Sequence, residues 1–313
     1  MNIKENYIKI LKTLENSKVY RYTDLETGKE LISDKKEKIE NNSLEEIIQA
    51  PVTLVICGGG HVGKAIYQLA LLLNFSVCMI DDRPEFCNKE IYPKATILND
   101  SYLNALEKTK EILTPYYIVA TRGHSFDFEC VKAILGYHYS YIGMIGSETK
   151  VKTTFDKLRA CNVKEEKIKE IHAPIGLEIG AVGPEEIAVS ILAEIIKVNR
   201  GNGASVANVE LYKEIAKLKE DFVIARIIKK AGSAPSEVSS SICLYSKGFF
   251  GTVGGGEIEH LVLKEAEAML KVNKEVKSFI KHFSLSAAKA GNIGMTCGGN
   301  VDVLFQKQLY NWR

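Results

Sequence analysis

Paired cysteines are the first thing missing. The chain has seven cysteines, an odd number, and no two are spaced C-x-x-C. Zinc-ribbon and iron–sulfur readings therefore have no support, and the usage points to a reduced, cytoplasmic setting. Long apolar runs are missing too. The most apolar helical pattern, over 65–75, is too short for a bilayer and is interrupted by Gln68. The opening Met1-Asn-Ile-Lys-Glu-Asn has no apolar core of the signal-peptide kind. An excess of one charge is also absent. The net charge of +2 is spread over 313 residues without a basic stripe, so neither nucleic acid nor a membrane is expected as a partner. What is abundant is apolar residue, 46% of the chain, enough for two domains with proper cores.

One stretch organises the rest. A β-branched apolar run over 52–57 enters Gly58-Gly59-Gly60-His61-Val62-Gly63, and a helical pattern starts at once. Gly58, Gly60 and Gly63 fit G-x-G-x-x-G in the strand–loop–helix context that gives the motif meaning. The first glycine permits a tight turn, the second a close approach of backbone to phosphate, and the third packing of helix on strand. The free N–H groups of the helix start favour an anion, with His61 and Val62 as walls of the site. A mostly apolar helix over 65–73 leads to a second strand, Ser76–Ile80, which ends in Asp81-Asp82-Arg83. An acid at that tip grips a ribose hydroxyl in dinucleotide folds. The plainer alternative is a βαβ packing unit with an acidic helix cap.

Strands then recur at 95–98, 116–120, 141–145 and 171–174, alternating with helices at 101–108, 127–135, 147–160 and 184–198. Ser147 is placed to cap one helix and Pro184 to open another. The alternation predicts an α/β fold, a Rossmann-like doubly wound parallel sheet over 51–200 in the order 3-2-1-4-5-6. Such sheets bind ligands at the carboxyl ends of their strands. The segments 58–63, 81–83, 121–127, 146–148 and 174–180 should therefore converge, adding Thr121, Arg122, Gly123, Gly146 and Ser147 to the binding candidates. His124 with Asp127 offers an acid–base pair on this edge; alternatively, Asp127 caps its own helix.

Residues 1–50 look like an appendage, with a helix over Ile3–Leu14, a hairpin from 19–22 and 30–32, and a short helix ending before Pro51. Residues 201–220 read as a linker with a helix. Residues 221–313 form a smaller domain with its own glycine stretches, among them Gly254-Gly255-Gly256 at a helix start, a second potential anion site. Glu257 and Glu259 offset the helix dipole there and count against a phosphate. Cys297 lies in Gly294-Met-Thr-Cys-Gly298-Gly299, where flanking glycines leave room for a ligand. Its soft sulfur suits a soft metal or persulfide chemistry; the alternative is a small apolar filler in a turn.

Taken together, these motifs resemble the XdhC/CoxI family, accessory factors of xanthine dehydrogenase and related molybdenum hydroxylases. The likeness rests on 58–63, 81–86, Thr121-Arg-Gly-His124, Ile145-Gly-Ser147, Pro174-Ile-Gly-Leu177, Pro184-Glu-Glu-Ile-Ala-Val189, Gly232-Ser-Ala-Pro235, 251–259 and 294–299. It implies an XdhC/CoxI-type smaller α/β domain. It also implies a protein that binds molybdenum cofactor (molybdopterin), protects it during sulfuration and passes it to a client hydroxylase. Cys297 would face the molybdenum or relay sulfur, a cysteine desulfurase would be a further partner, and the chain would form a homo-oligomer, a homodimer in the simplest case. Two departures stand out. The family usually carries the small domain first, and its Gly-Ser-Ala-Pro is normally followed by Arg, where this chain has Ser236. The rival readings are an NAD(P)-dependent oxidoreductase using 58–82 and His124, or a scaffold that binds NAD to regulate docking.

Overall fold

The computed structural model of the protein describes residues 2–39, 42–201, 203–232, 238–272, 277–285 and 299–310; the side chains of His124 and Leu285 lie outside that description. Two compact units form. One joins Met1–Ala50 to Gly203–Arg313, and the other is Pro51–Asn202.

The first unit begins with α1 (Ile3–Leu14), which buries Ile3, Tyr7, Ile10 and Leu14 along one face and is capped by the Asn2 side chain. Strands β1 (Val19–Asp24) and β2 (Glu30–Ser33) pair as the expected hairpin. Where a helix was expected before Pro51, the chain instead runs as β3 (Ser43–Gln49), antiparallel to β1. Leu44, Glu45, Glu46 and Gln49 favour a helix by propensity, but pairing with β1 overrides that preference.

The second unit is the doubly wound sheet. Its strands are β4 (Thr53–Cys57), β5 (Ser76–Ile80), β6 (Thr96–Leu98), β7 (Pro115–Val119), β8 (Tyr141–Met144) and β9 (Ile171–His172). All are parallel, in the order β6-β5-β4-β7-β8-β9, which is the predicted 3-2-1-4-5-6. Helices α2 (His61–Leu72) and α7 (Pro184–Gly201) cover one face; α3 (Tyr102–Glu107), α4 (His124–Ile134) and α5 (Glu148–Ala160) cover the other, and the short α6 (Glu165–Ile168) follows. Both faces being covered, β7 and β8 are buried along their whole length, as their continuous apolar runs require.

The chain then returns to the first unit. Strand β10 (Ser205–Val206) lies parallel to β3, completing a four-stranded sheet β10-β3-β1-β2. Helix α8 (Val209–Lys217) packs on α1, with Tyr7 and Tyr212 rings 5.0 Å apart. A five-stranded antiparallel sheet follows, made of β11 (Phe222–Gly232), β12 (Ser241–Tyr245), β13 (Gly248–Gly251), β14 (Ser278–Leu285) and β15 (Gly299–Gln308), in the order β13-β12-β11-β15-β14. Val223, Ala225 and Ile227 of β11 point to α9 (Gly256–Lys271), whereas Phe222 and Ile224 point to α1 and α8. No helix among the described residues is long and apolar enough to cross a membrane.

The first fifty residues are thus built into this unit, tied by a charge cluster invisible in the sequence. Arg21 and Glu46, directly opposite on β1 and β3, form a two-pronged pair at 2.9 and 3.0 Å. Arg226 of β11 reaches Glu30 at 2.8 Å, the Thr23 hydroxyl at 2.9 Å and Glu46 at 3.4 Å. Both arginines are fully buried. Two cations and two carboxylates balance, which makes such burial tolerable.

Candidate functional site

The carboxyl edge of the parallel sheet gathers the loops after β4, β5 and β7. Gly58 turns the chain at φ +127°, and a Cβ at Gly63 would lie 2.0 Å from the Gly58 carbonyl oxygen, so the first and third glycines of the motif serve the protein's own packing. Gly60 differs. A Cβ there would meet nothing within 4 Å, and its φ of −74° is ordinary for any residue. It is the N-cap of α2, yet no side chain caps that helix and no acid stands in its first turn. The first-turn N–H groups have no intrahelical acceptor, so the loop offers donors, a favourable dipole and open space together. His61 is exposed beside it, and Val62 packs partly into the core.

Asp81 does not fill the ribose role expected of it. Its side chain is buried, and its two oxygens accept from the Gly59 N–H at 2.8 Å, the Arg83 N–H at 3.1 Å, and Arg83 Nε and Nη2, both at 2.9 Å. A carboxylate has about four acceptor positions, and all are used. Burial opposes ionisation of Asp81, but the Arg83 guanidinium and the Gly59 and Arg83 N–H groups outweigh it and hold the carboxyl below its ordinary value. Asp81 is a strut that pins the glycine loop. Tyr92 adds a second tie through its hydroxyl to the Gly59 carbonyl at 2.8 Å.

Asp82 stands more open. Arg122, from the loop after β7, takes both its oxygens, one at 2.9 Å, so the ion pair runs above the end of β4. Two of its four acceptor positions remain. The Arg83 guanidinium lies 3.9 Å from the Phe86 ring centre and that of Arg122 5.0 Å from Phe126.

The other candidates fall into place around this core. Asp127 is buried, accepting from the Thr121 hydroxyl at 2.7 Å and paired with Lys150. Its carboxylate is engaged as an anchor of the 121–127 loop; the side chain of His124 lies outside the described residues. Gly123 is the N-cap of α4. Ser147 caps α5 as expected, accepting from the Lys150 N–H at 3.4 Å, and Gly146 lies against the Lys150 stem. Segments 58–63, 81–83, 121–127 and 146–148 are therefore joined by one chain of polar contacts. Segment 174–180 also starts on this edge, where the Ile175 N–H donates to the Met144 carbonyl at the end of β8 at 3.0 Å, and Glu194 of α7 holds it by accepting from Gly176 N–H at 2.6 Å and Tyr141 hydroxyl at 2.9 Å, 2.7 Å from His172 Nδ1.

In the other unit, the Gly254–Gly256 loop has an occupant of its own. Glu259 accepts from the Thr252 hydroxyl at 2.5 Å, the Val253 N–H at 3.2 Å and the Gly255 N–H at 3.3 Å. A phosphate would have to displace this carboxylate, so the geometry argues against the second anion site. Cys297, Gly298 and Ser236 lie outside the described residues; Gly299 opens β15. Among the described residues, no group of three His, Cys, Asp or Glu side chains is arranged for a metal.

Sequence reasoning missed Lys150, Glu194 and Tyr102. Tyr102, first residue of α3, is buried, and its hydroxyl has no hydrogen-bond partner among the described residues. Nothing in a short helix of ordinary pattern flags it.

Residues 54–195 match the family model of the XdhC Rossmann domain, and residues 216–281 match that of the XdhC and CoxI family. Among curated proteins, the chain is 37% identical over 147 residues to the uncharacterized protein YqeB of Escherichia coli, covering 46% of this chain and 27% of that one. It is 30% identical over 161 residues to a Bacillus subtilis protein described as a probable xanthine dehydrogenase subunit, covering 51% of this chain and 46% of that one. The chain thus spans less than half the length of these curated relatives. A crystal structure of a xanthine dehydrogenase from Bacillus halodurans is similar with a TM-score of 0.51 at 23% identity, over 62% of this chain and 66% of that one, a likeness of fold.

Proposed function

Because the chain belongs to the XdhC and CoxI family, we propose that it is an accessory factor that binds molybdenum cofactor and assists its sulfuration and insertion into a hydroxylase of the xanthine dehydrogenase kind. The Bacillus subtilis relative, whose description names xanthine dehydrogenase, supports the choice of client. The observation that carries the reading is Gly60. It alone of the three motif glycines faces open space, at a helix start that no side chain caps. A cradle of N–H groups with that opening fits the phosphate end of a pterin cofactor. Gly60 and the first turn of α2 would hold the phosphate, and Arg83 and Arg122 would supply positive charge at the rim. The bound group supplies molybdenum redox chemistry for the client; this chain binds and shields it.

The test uses Gly60→Val. A Cβ at Gly60 meets no protein atom within 4 Å and the backbone there is ordinary, so the variant should keep its melting temperature while losing at least tenfold in cofactor affinity. Released molybdenum cofactor would be offered to the purified full chain and bound molybdenum measured per chain, with Cys297→Ala in parallel to report on sulfur. No binding by the unaltered chain, or equal binding by Gly60→Val, would sink the proposal. The same loop suits the pyrophosphate of NAD(P), the basis of a second reading as a nucleotide sensor, for which tight NAD binding without turnover is the signature.

A further inference from the structure

The outer face of α7 carries an apolar line that the sheet beneath it does not use. Helix α7 buries Ala188, Ile191, Leu192 and Ile195 in the core, and a helix with such an inward stripe ordinarily turns a polar face to water. Here Val189 and Ile196 are 49% and 37% exposed, and Val182, in the loop that enters the helix, is 84% exposed. Val189 and Ile196 are seven residues apart, close to two helical turns, so they lie on one line with the half-exposed Ala193 beside it. The charges along this line are sorted by sign. Exposed Glu185 and Glu186 stand in the first turn, and exposed Lys197 and Arg200 near the end. Positions 186, 193, 197 and 200 follow at intervals of seven, four and three, so Glu186 and Lys197 share one flank. Glu186 accepts from the Val182 N–H at 2.9 Å through one of its two oxygens.

We propose that this face docks a second copy of the chain, α7 against α7, antiparallel about a twofold axis beside Ala193. A twofold contact is made by the same patch on both copies, so the patch has to complement itself. The α7 face does so in the antiparallel direction. Val189 of each copy then meets Ile196 of the other, and Ala193 meets Ala193, where small side chains let two helices come close. Glu186 of each copy comes opposite Lys197 and Arg200 of the other, and the positive start of each helix lies beside the negative end of its neighbour. A parallel pair would set Glu186 against Glu186 and Lys197 against Lys197, a repulsive arrangement. A purely apolar partner would leave both charged ends unmatched. The order of signs along the helix thus selects this chain's own copy.

Sedimentation equilibrium of the full chain over a range of concentrations tests this, and the unaltered chain should show a monomer–dimer equilibrium. Val189→Glu and Ile196→Glu change exposed side chains, so each variant should keep the melting temperature of a dilute sample. Its dimer dissociation constant should rise about tenfold or more, because a charge enters an apolar seam. Glu186→Lys and Lys197→Glu should each weaken the dimer, and the chain carrying both should regain it. Ala193→Cys should give a disulfide-linked dimer on mild oxidation with diamide, well above Val189→Cys and above the unaltered chain, whose exposed Cys161 sets the background. A chain that is monomeric at every concentration, or a dimer indifferent to Val189→Glu and Ile196→Glu, overturns the proposal. So does a dimer that those changes break but that shows neither the charge-swap rescue nor the Ala193→Cys link. A monomer whose Val189→Glu variant loses binding to a client hydroxylase would assign the face to the client instead.

Discussion

Asp81 shows how little a residue's type says about its task. Two adjacent acids end β5, and either would serve a ribose in a dinucleotide fold. The inner one is spent on the loop and Arg83; the outer one keeps capacity. Replacing Asp81 by Asn should therefore act on stability. It leaves a half-buried Arg83 without its anion, and breaking such a pair costs about 3 kcal/mol, read from urea unfolding of the full chain. A loss below about 1 kcal/mol would show that the strut is not needed. The pH dependence has a definite sign. Because the native carboxyl ionises below its ordinary value, its contribution is complete above the unfolded value of about 3.9 and disappears as pH falls through the lower native one.

At the scale of elements, two glycine-rich helix starts that look alike in sequence have opposite fates. The start of α2 has no acid in its first turn and no cap, whereas that of α9 carries Glu259 folded back onto Thr252, Val253 and Gly255. Glu259→Ala should destabilise the first unit by about 1 kcal/mol, the usual worth of a cap, measured by thermal unfolding. If the α9 start were a phosphate site, the same change would instead raise phosphate affinity, since it removes a competing carboxylate. Ser147→Ala should cost a similar amount through α5, with the glycine loop undisturbed.

At the scale of the whole molecule, the chain leaves the first unit after β3 and re-enters it at β10, which pairs with β3 at Ile48–Ser205 and Gln49–Val206. The Rossmann unit is thus an insertion within the other unit, while the two family domains keep the reversed order, Rossmann first. Its two ends are held side by side, with the Ala207 N–H donating to the Gln49 carbonyl at 2.8 Å. Residues 51–202 expressed alone should fold and melt cooperatively; a chain without a cooperative transition would refute this. The buried charges make a second prediction. Burial raises the pKa of Glu46, but Arg21 and Arg226 overcome it and bring it to about 2 from 4.5. Unfolding of the first unit should thus lose roughly 3 kcal/mol as pH falls from about 4.5 to about 2, and none of that loss above 4.5. Arg226→Ala should cost about 3–5 kcal/mol by stranding Glu30, with hydrogen-exchange protection lost in 1–50 and in β11.

The parallel sheet, its strand order and the glycine loop were legible in the sequence because they rest on local signals, namely apolar runs, a period change from strand to helix, and glycines at fixed offsets. The family resemblance drew on the same short stretches. The strand at 43–49, the alliance of 1–50 with 203–313, the division of labour between Asp81 and Asp82, and the unpartnered hydroxyl of Tyr102 were not legible. Each depends on which distant group lies opposite: β1 against β3, Arg226 against Glu30, Gly59 against Asp81. Local periodicity carries no record of such partners. The sequence by itself determined the sheet and the place of its ligand edge, and the tertiary structure decided which of the residues there are already satisfied and which still have a bond to give.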